Sequence, residues 1–191
     1  MNAYPMIKKL RKAGIAFTAG MDEEEIHRCE AFFGFRFPRE IRAFLACAVP
    51  VGEEFFDWRD LSEANLQRFR DFQRHIEDTF VFDVEHSEDL LQEFIGDTVA
   101  RITDRETLKT VVLDWLHRSV RLIPFYAHRC FFDGMDEMPI VSFWQAVDTI
   151  FYGSDFENYL ENEFLRRTED WQLGEIPDKM KDAGIWYYLV G

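Results

Sequence analysis

The sequence predicts an α+β fold, a mainly antiparallel β-sheet covered on one side by helices. Residues 120–164 carry most of that prediction, because apolar runs mixing β-branched and aromatic residues alternate there with short turns and then give way to a helix. The segments before it repeat apolar residues at helical spacing. One further stretch, 79–85, has the period of two that a half-buried strand requires.

Taken in order, residues 5–13 form a short basic helix, with Met6, Ile7 and Leu10 on one side and Lys8, Lys9, Arg11 and Lys12 spread around it. It reads as a solvated cap on the domain, and so short a helix with few bulky anchors would bind lipid weakly. Asp22 can cap the next helix, and Glu23, Glu24 and Glu25 suit its first turn because they face the positive end of the helix dipole. Ile26, Cys29, Phe32 and Phe33 give that helix its buried face, and Gly34 ends it. Phe37-Pro38 opens a third helix lined by Ile41, Phe44, Leu45 and Ala48, which Val49-Pro50-Val51-Gly52 stops.

Residues 55–59 read as an edge strand or an extended loop. Trp58 beside Arg59 is a pairing favoured at binding hot spots, although a core Trp with a solvated Arg is the plainer reading. Ser62 then caps a long helix to about Glu77, with Leu66, Phe69, Phe72 and Ile76 inward. In 79–85, Phe80, Phe82 and Val84 alternate with Val81, Asp83 and Glu85, which places Asp83 and Glu85 on one face of a strand ending at His86. Those three polar groups could serve as metal ligands or as acid and base, or simply meet solvent at a strand end. A metal would need further ligands at recognisable spacing, and none are present.

Residues 87–96 suit a short helix or irregular cover with Leu90, Leu91 and Phe94 inward. Asp104 caps a helix on which Leu108, Val111, Val112, Trp115 and Leu116 share one face. The central stretch follows as strand, strand, strand, helix. Val120 to Tyr126 form the first run, Asp133-Gly134 mark a turn, and the runs 140–144 and 147–152 complete the set. Ser154 or Asp155 caps a helix burying Phe156, Tyr159, Leu160 and Phe164, and Arg166-Arg167 suit its C-terminus. In the irregular tail from 168 to 191, Ile185-Trp186-Tyr187-Tyr188-Leu189 could add a final strand or dock on the core.

The chain of 191 residues, with 20 Phe and 47% apolar residues, has the material for one sizeable core. No repeat or low-complexity linker divides it, so a single domain over 1–191 is expected, with 1–20 and 168–191 peripheral. A formal charge of -14 repels phosphate backbones and would speed association with a basic partner, so direct nucleic-acid binding is disfavoured. Net charge of this size also simply aids solubility. Cys29, Cys47 and Cys130 form no CxxC pair, which fits a reducing compartment, and Cys29 and Cys47 fall on apolar helix faces suited to core packing. Gly14, Thr18 and Gly20 interrupt the only N-terminal apolar run, so no signal peptide, no membrane span and a cytoplasmic location are expected.

Neither a nucleophile elbow, a phosphate-binding loop nor a zinc signature is present. Only His128-Arg129, at a strand exit near Tyr126, invites a functional reading among the five dispersed His. The pair could act as a base with an anion-binding neighbour, or the His could hydrogen-bond a loop.

The words IPFYAHR, PIVSFWQ and DTIFYGSDFENYLENEF resemble the SUKH superfamily, which includes the yeast cell-wall assembly regulator group and many bacterial immunity proteins. Phe32-Phe33-Gly34 with Phe37-Pro38, Pro50-Val51-Gly52, Phe56-Asp57-Trp58-Arg59 and Phe82-Asp83-Val84-Glu85-His86 follow in the order that bacterial members show. The likeness runs from about Met21 to Phe164, with two departures. Cys130 stands where an aromatic residue is expected, and Ala146-Val147 adds a residue, most simply a bulge. The resemblance implies a non-catalytic immunity protein that neutralises a cognate toxin, such as a nuclease, by binding it, with no cofactor. A regulatory adaptor of a housekeeping or cell-wall complex is the alternative, and an enzyme using Asp83, Glu85, His86 or His128 the third. Trp58, Arg59, Tyr126, His128 and Arg129 are the candidate partner contacts.

Overall fold

In the computed structural model, residues 3–86 and 102–190 are described. The helix expected within 87–96 lies outside the described residues. Helix α1 (Ala3–Lys12) buries Met6, Ile7 and Leu10, so it is an integral wall of the core rather than a solvated cap. Strand β1 (Ala16–Ala19) follows, then helix α2 (Glu23–Phe33), whose N-cap Asp22 makes a full capping box with Glu25. Gly34 closes α2 in the left-handed conformation at φ 70°, where a side chain would be strained.

Helix α3 (Arg39–Cys47) runs into strand β2 (Ala48–Val51), which pairs antiparallel with β1. The sequence reading took this segment only as the stop of a helix, because Pro50 argues against a strand. A two-stranded sheet is all edge, so the missing N–H of Pro50 is tolerated. Cys29 is buried as expected, but Cys47 is exposed, since α3 turns its Ile41, Phe44 and Leu45 face inward and leaves Cys47 on the other side.

The largest correction concerns 79–85. There is no strand: helix α4 (Glu63–His86) continues unbroken through it. Ile76, Phe80, Asp83 and Val84 are buried at i, i+4, i+7 and i+8, whereas Phe82, which alternation sends inward, is 52% exposed and stacks on His86 one turn later. A short apolar run fits both periods, and the preceding helix, uncapped at Glu77, simply propagates. Helix α5 (Arg105–Arg118), capped by Asp104, packs beside α4.

Asp83 is fully buried and ties α4 to the sheet, accepting from Gln145 Nε2 at 2.9 Å and from the Val147 N–H at 3.0 Å. Asp83→Ala strands both donors and is expected to lower the unfolding free energy by about 1–3 kcal/mol. Burial raises the Asp83 pKa, outweighing the hydrogen bonds that lower it. A carboxyl so raised contributes stability that is complete below its unfolded pKa and lost as pH rises through the folded value. Asp83→Asn, which keeps an acceptor and never ionises, should therefore gain on the wild type between about pH 4 and about pH 7 in urea titrations. An unchanged difference across that range would contradict the assignment.

The central stretch forms one four-stranded antiparallel sheet in the order β3-β4-β5-β6, from β3 (Leu122–Tyr126), β4 (Arg129–Phe132), β5 (Ile140–Gln145) and β6 (Asp148–Gly153). β4 is the strand that the three-strand reading missed: residues 129–132 are short, and the two-residue turn before them carries no Gly or Asn. Helix α6 (Phe156–Leu165) follows, capped by Asp155. Gly153 fits there because a Cβ would lie 2.7 Å from the Tyr159 nitrogen. The tail ends in helix α7 (Trp186–Leu189), docked rather than paired as a strand, with the Trp186 Nε1–H donating to Val120 O at 2.6 Å.

Helices cover both faces of this sheet rather than one. Ile123, Phe125 and Phe131 join α1, α2, α3 and α6 in one apolar cluster. Leu122, Cys130, Phe132, Val141, Phe143 and Phe151 join the second half of α4, α5 and the tail in another. The alternation of strand side chains explains the division. No described helix is long and apolar enough to cross a membrane.

Candidate functional site

Three of the five sequence-predicted contacts converge at the β3–β4 turn. Tyr126 ends β3, packed edge-on against Phe164 and against Phe55, whose backbone bridges to it. Ala127 turns the chain at φ 48°, held by its N–H donating to Glu54 O at 2.7 Å. His128 is then fixed by its own carbonyl, which accepts from the Phe143 N–H at 2.9 Å.

Arg129 is the hub. Its Nε donates to Glu163 Oε2 at 2.9 Å and its Nη1 to Ser142 Oγ at 3.2 Å and to the His128 ring at Nε2, while the guanidinium lies 3.8 Å above the Tyr152 ring. Both sides of the ion pair are nearly out of solvent, at 10% and 14% exposure. Accepting from Arg129 requires a neutral imidazole. The His128 pKa is accordingly lowered, by burial first and then by Arg129, against the pull of Glu163, Asp148 and Glu54. Burial, with Glu163 adding to it, raises the phenols of Tyr126 and Tyr159, so both stay protonated at neutral pH. The Tyr159 hydroxyl is buried with no hydrogen-bond partner.

At the edge of this pinned cluster two apolar side chains face solvent. Trp144 is 63% exposed and stands edge-on to His128 at 5.8 Å, and Ile150, cross-strand from Ser142, is 44% exposed. The β5–β6 register slips by one residue at Trp144, between the pairs Phe143↔Thr149 and Gln145↔Asp148. That slip is the bulge expected from the extra residue at Ala146-Val147, placed two residues earlier, and it turns outward a side chain that would otherwise have continued the buried run. The Trp144 carbonyl is held in turn by His75, whose Nε2 lies 3.1 Å away.

Comparison with protein-family models, with curated proteins and with solved structures finds no match.

Trp58 and Arg59 lie apart from this cluster. Trp58 is 1% exposed among Phe33, Phe35, Phe37 and Phe56, so it presents no surface to a partner. Arg59 donates to Thr18 Oγ1 at 3.0 Å, Ala19 O at 2.9 Å and Gly20 O at 2.8 Å, and faces Glu25 at 3.4 Å. It therefore clamps the link between β1 and α2. Arg129 is likewise buried, an organiser of the cluster rather than its surface.

The alternative chemistry around residues 83–86 is dispersed by the helix. Asp83 points inward, Glu85 faces Lys109 at 3.6 Å, and His86 Nδ1 lies 2.9 Å from Phe82 O. Among the described residues no group of three or more His, Cys, Asp or Glu is placed to hold a metal ion. Sequence reasoning missed Ser142, Tyr152 and Glu163 because they come from other strands and from α6. It passed over Trp144, although the extra residue beside it was the available signal.

Proposed function

We propose that this chain is a protein-binding domain of the SUKH kind that acts without catalysis, as an immunity protein occupying a cognate toxin. The observation that carries the reading is the Trp144 rim: a large aromatic held open to solvent on a sheet edge whose neighbours, His128, Arg129 and Glu163, are fixed by buried polar contacts. Rigid aromatic anchors of this type dominate binding energies, because little side-chain freedom is lost when they are covered. The charge of -14 adds long-range attraction for a basic partner, as a nuclease surface would be. The ordered motifs across residues 21–164 supply the family expectation.

The test is capture of the tagged full chain from native lysate, followed by binding of the recovered partner to Trp144→Ala. One stoichiometric partner with a toxin-like domain, whose affinity falls by about 30-fold or more in the variant while the thermal midpoint holds, is the expected result. A recovered housekeeping complex would replace immunity with the adaptor reading. Unchanged affinity for Trp144→Ala would remove the rim from the interface.

A further inference from the structure

A cleft of about 500 Å³ opens between the N-terminal halves of α3 and α6, on a part of the surface that the Trp144 rim does not include. Its chemistry is one-sided. Glu40, Glu137, Asp155 and Glu157 line it against a single cation, Arg39, and that guanidinium is already paired with Glu137 at 2.7 Å. Asp155 is occupied as the cap of α6, accepting from the Asn158 N–H at 2.8 Å. Ala43 and Phe156 supply an apolar lining beneath the acids.

Glu40 is the group left unsatisfied. Its Oε1 accepts from the Glu137 N–H at 2.7 Å, an arrangement that holds Glu137 at a left-handed φ of 57°. Its Oε2 is buried and has no hydrogen-bond partner. A buried carboxylate oxygen without a donor is costly, and the donors that match it best are the charged ones, a guanidinium or an ammonium. A long aliphatic stem could lie on Ala43 and Phe156 while its cationic head reaches Glu40, the way Lys and Arg cover apolar surface elsewhere. Guanidinium fits better than ammonium, because its planar fork can serve Oε2 and a rim carboxylate together.

We propose that this cleft is a socket for an arginine side chain carried on the protein partner. The source of the arginine rests on the protein-binding reading above; the cation chemistry of the socket does not. Two contacts would then flank α6, the aromatic rim by Glu163 and the socket by Asp155, so a partner would present a basic side chain at a fixed distance from a pocket for Trp144.

The experiment needs no identified partner. Amide chemical shifts of the full chain are followed while blocked Gly-Arg-Gly tripeptide is added, with agmatine and blocked Gly-Gln-Gly in parallel. The expected result is saturable shifts at Ala43, Phe156 and Glu157 with the arginine peptide, bound at least as tightly as agmatine, and none with the glutamine peptide. Glu40→Gln keeps an acceptor for Glu137 and should weaken the arginine peptide at least ten-fold. Ala43→Phe, at an exposed helix position, should fill the socket and abolish the shifts without unfolding the chain. Shifts that miss the cleft, or an unchanged affinity in Glu40→Gln, would overturn the socket even if a protein partner is captured. Binding of agmatine with rejection of the arginine peptide would overturn the protein source and leave a small-molecule cation site.

Discussion

Replacing Arg129 by Met is expected to lower the unfolding free energy by about 3–5 kcal/mol, the cost of leaving a buried charge without its partner. Glu163 is the charge left behind. It is mostly buried, and once its bond to Arg129 Nε is removed no other cation is given as its partner. The Ser142 hydroxyl and the Tyr152 ring lose their contacts with the guanidinium in the same step. Glu163→Gln should cost less, because an amide oxygen still accepts from Arg129 and the remaining charge keeps the Tyr152 ring beneath it. The double variant Arg129→Met with Glu163→Leu should recover much of the loss, since a buried pair replaced together by apolar groups is often close to neutral. Urea denaturation of the three variants reads all of this. If Arg129→Met costs less than about 1 kcal/mol, the pair behaves as a surface bridge and the rigid platform argued for Trp144 does not exist.

How much of this was legible in the sequence depends on whether a signal is local. The caps Asp22, Asp104 and Asp155, the stop at Gly34 and the inward faces of α2, α3 and α5 follow from side chains within one or two turns, and the structure has them where spacing places them. The alternation in 79–85 is equally local, yet it misled, because apolar residues at 76, 80 and 84 satisfy a helix while those at 80, 82 and 84 satisfy a strand. What decides between them is the partner of Asp83, which lies more than sixty residues further on in the β5–β6 turn. The site divides the same way. Tyr126, His128 and Arg129 could be named because they adjoin a strand exit. Glu163 and Ser142 are joined to them only by folding, and the exposure of Trp144 follows from a one-residue slip whose cause, the extra residue, was visible but whose position was not.

Trp58 is the sharpest test of the distinction between core and surface aromatics, and Trp58→Ala is expected to cost about 3–5 kcal/mol in stability, the range for removing a large buried aromatic side chain. The indole is enclosed by rings at 4.3 Å (Phe56), 5.1 Å (Phe35) and 5.2 Å (Phe37), with Phe131 of the sheet beyond them. Its truncation would open a cavity where α2, the 55–59 segment and the sheet meet. Trp58→Phe should be far milder than its volume change suggests. The Trp58 Nε1–H is buried with no acceptor, and removing that orphaned donor regains part of a penalty of about 1–3 kcal/mol. The opposite pattern belongs to a partner contact: affinity lost with stability unchanged, as expected of Trp144→Ala. Measuring unfolding free energy and partner affinity for both tryptophans separates the two roles, because burial makes a side chain's contribution to folding, and only an exposed ring has that contribution still to make on binding.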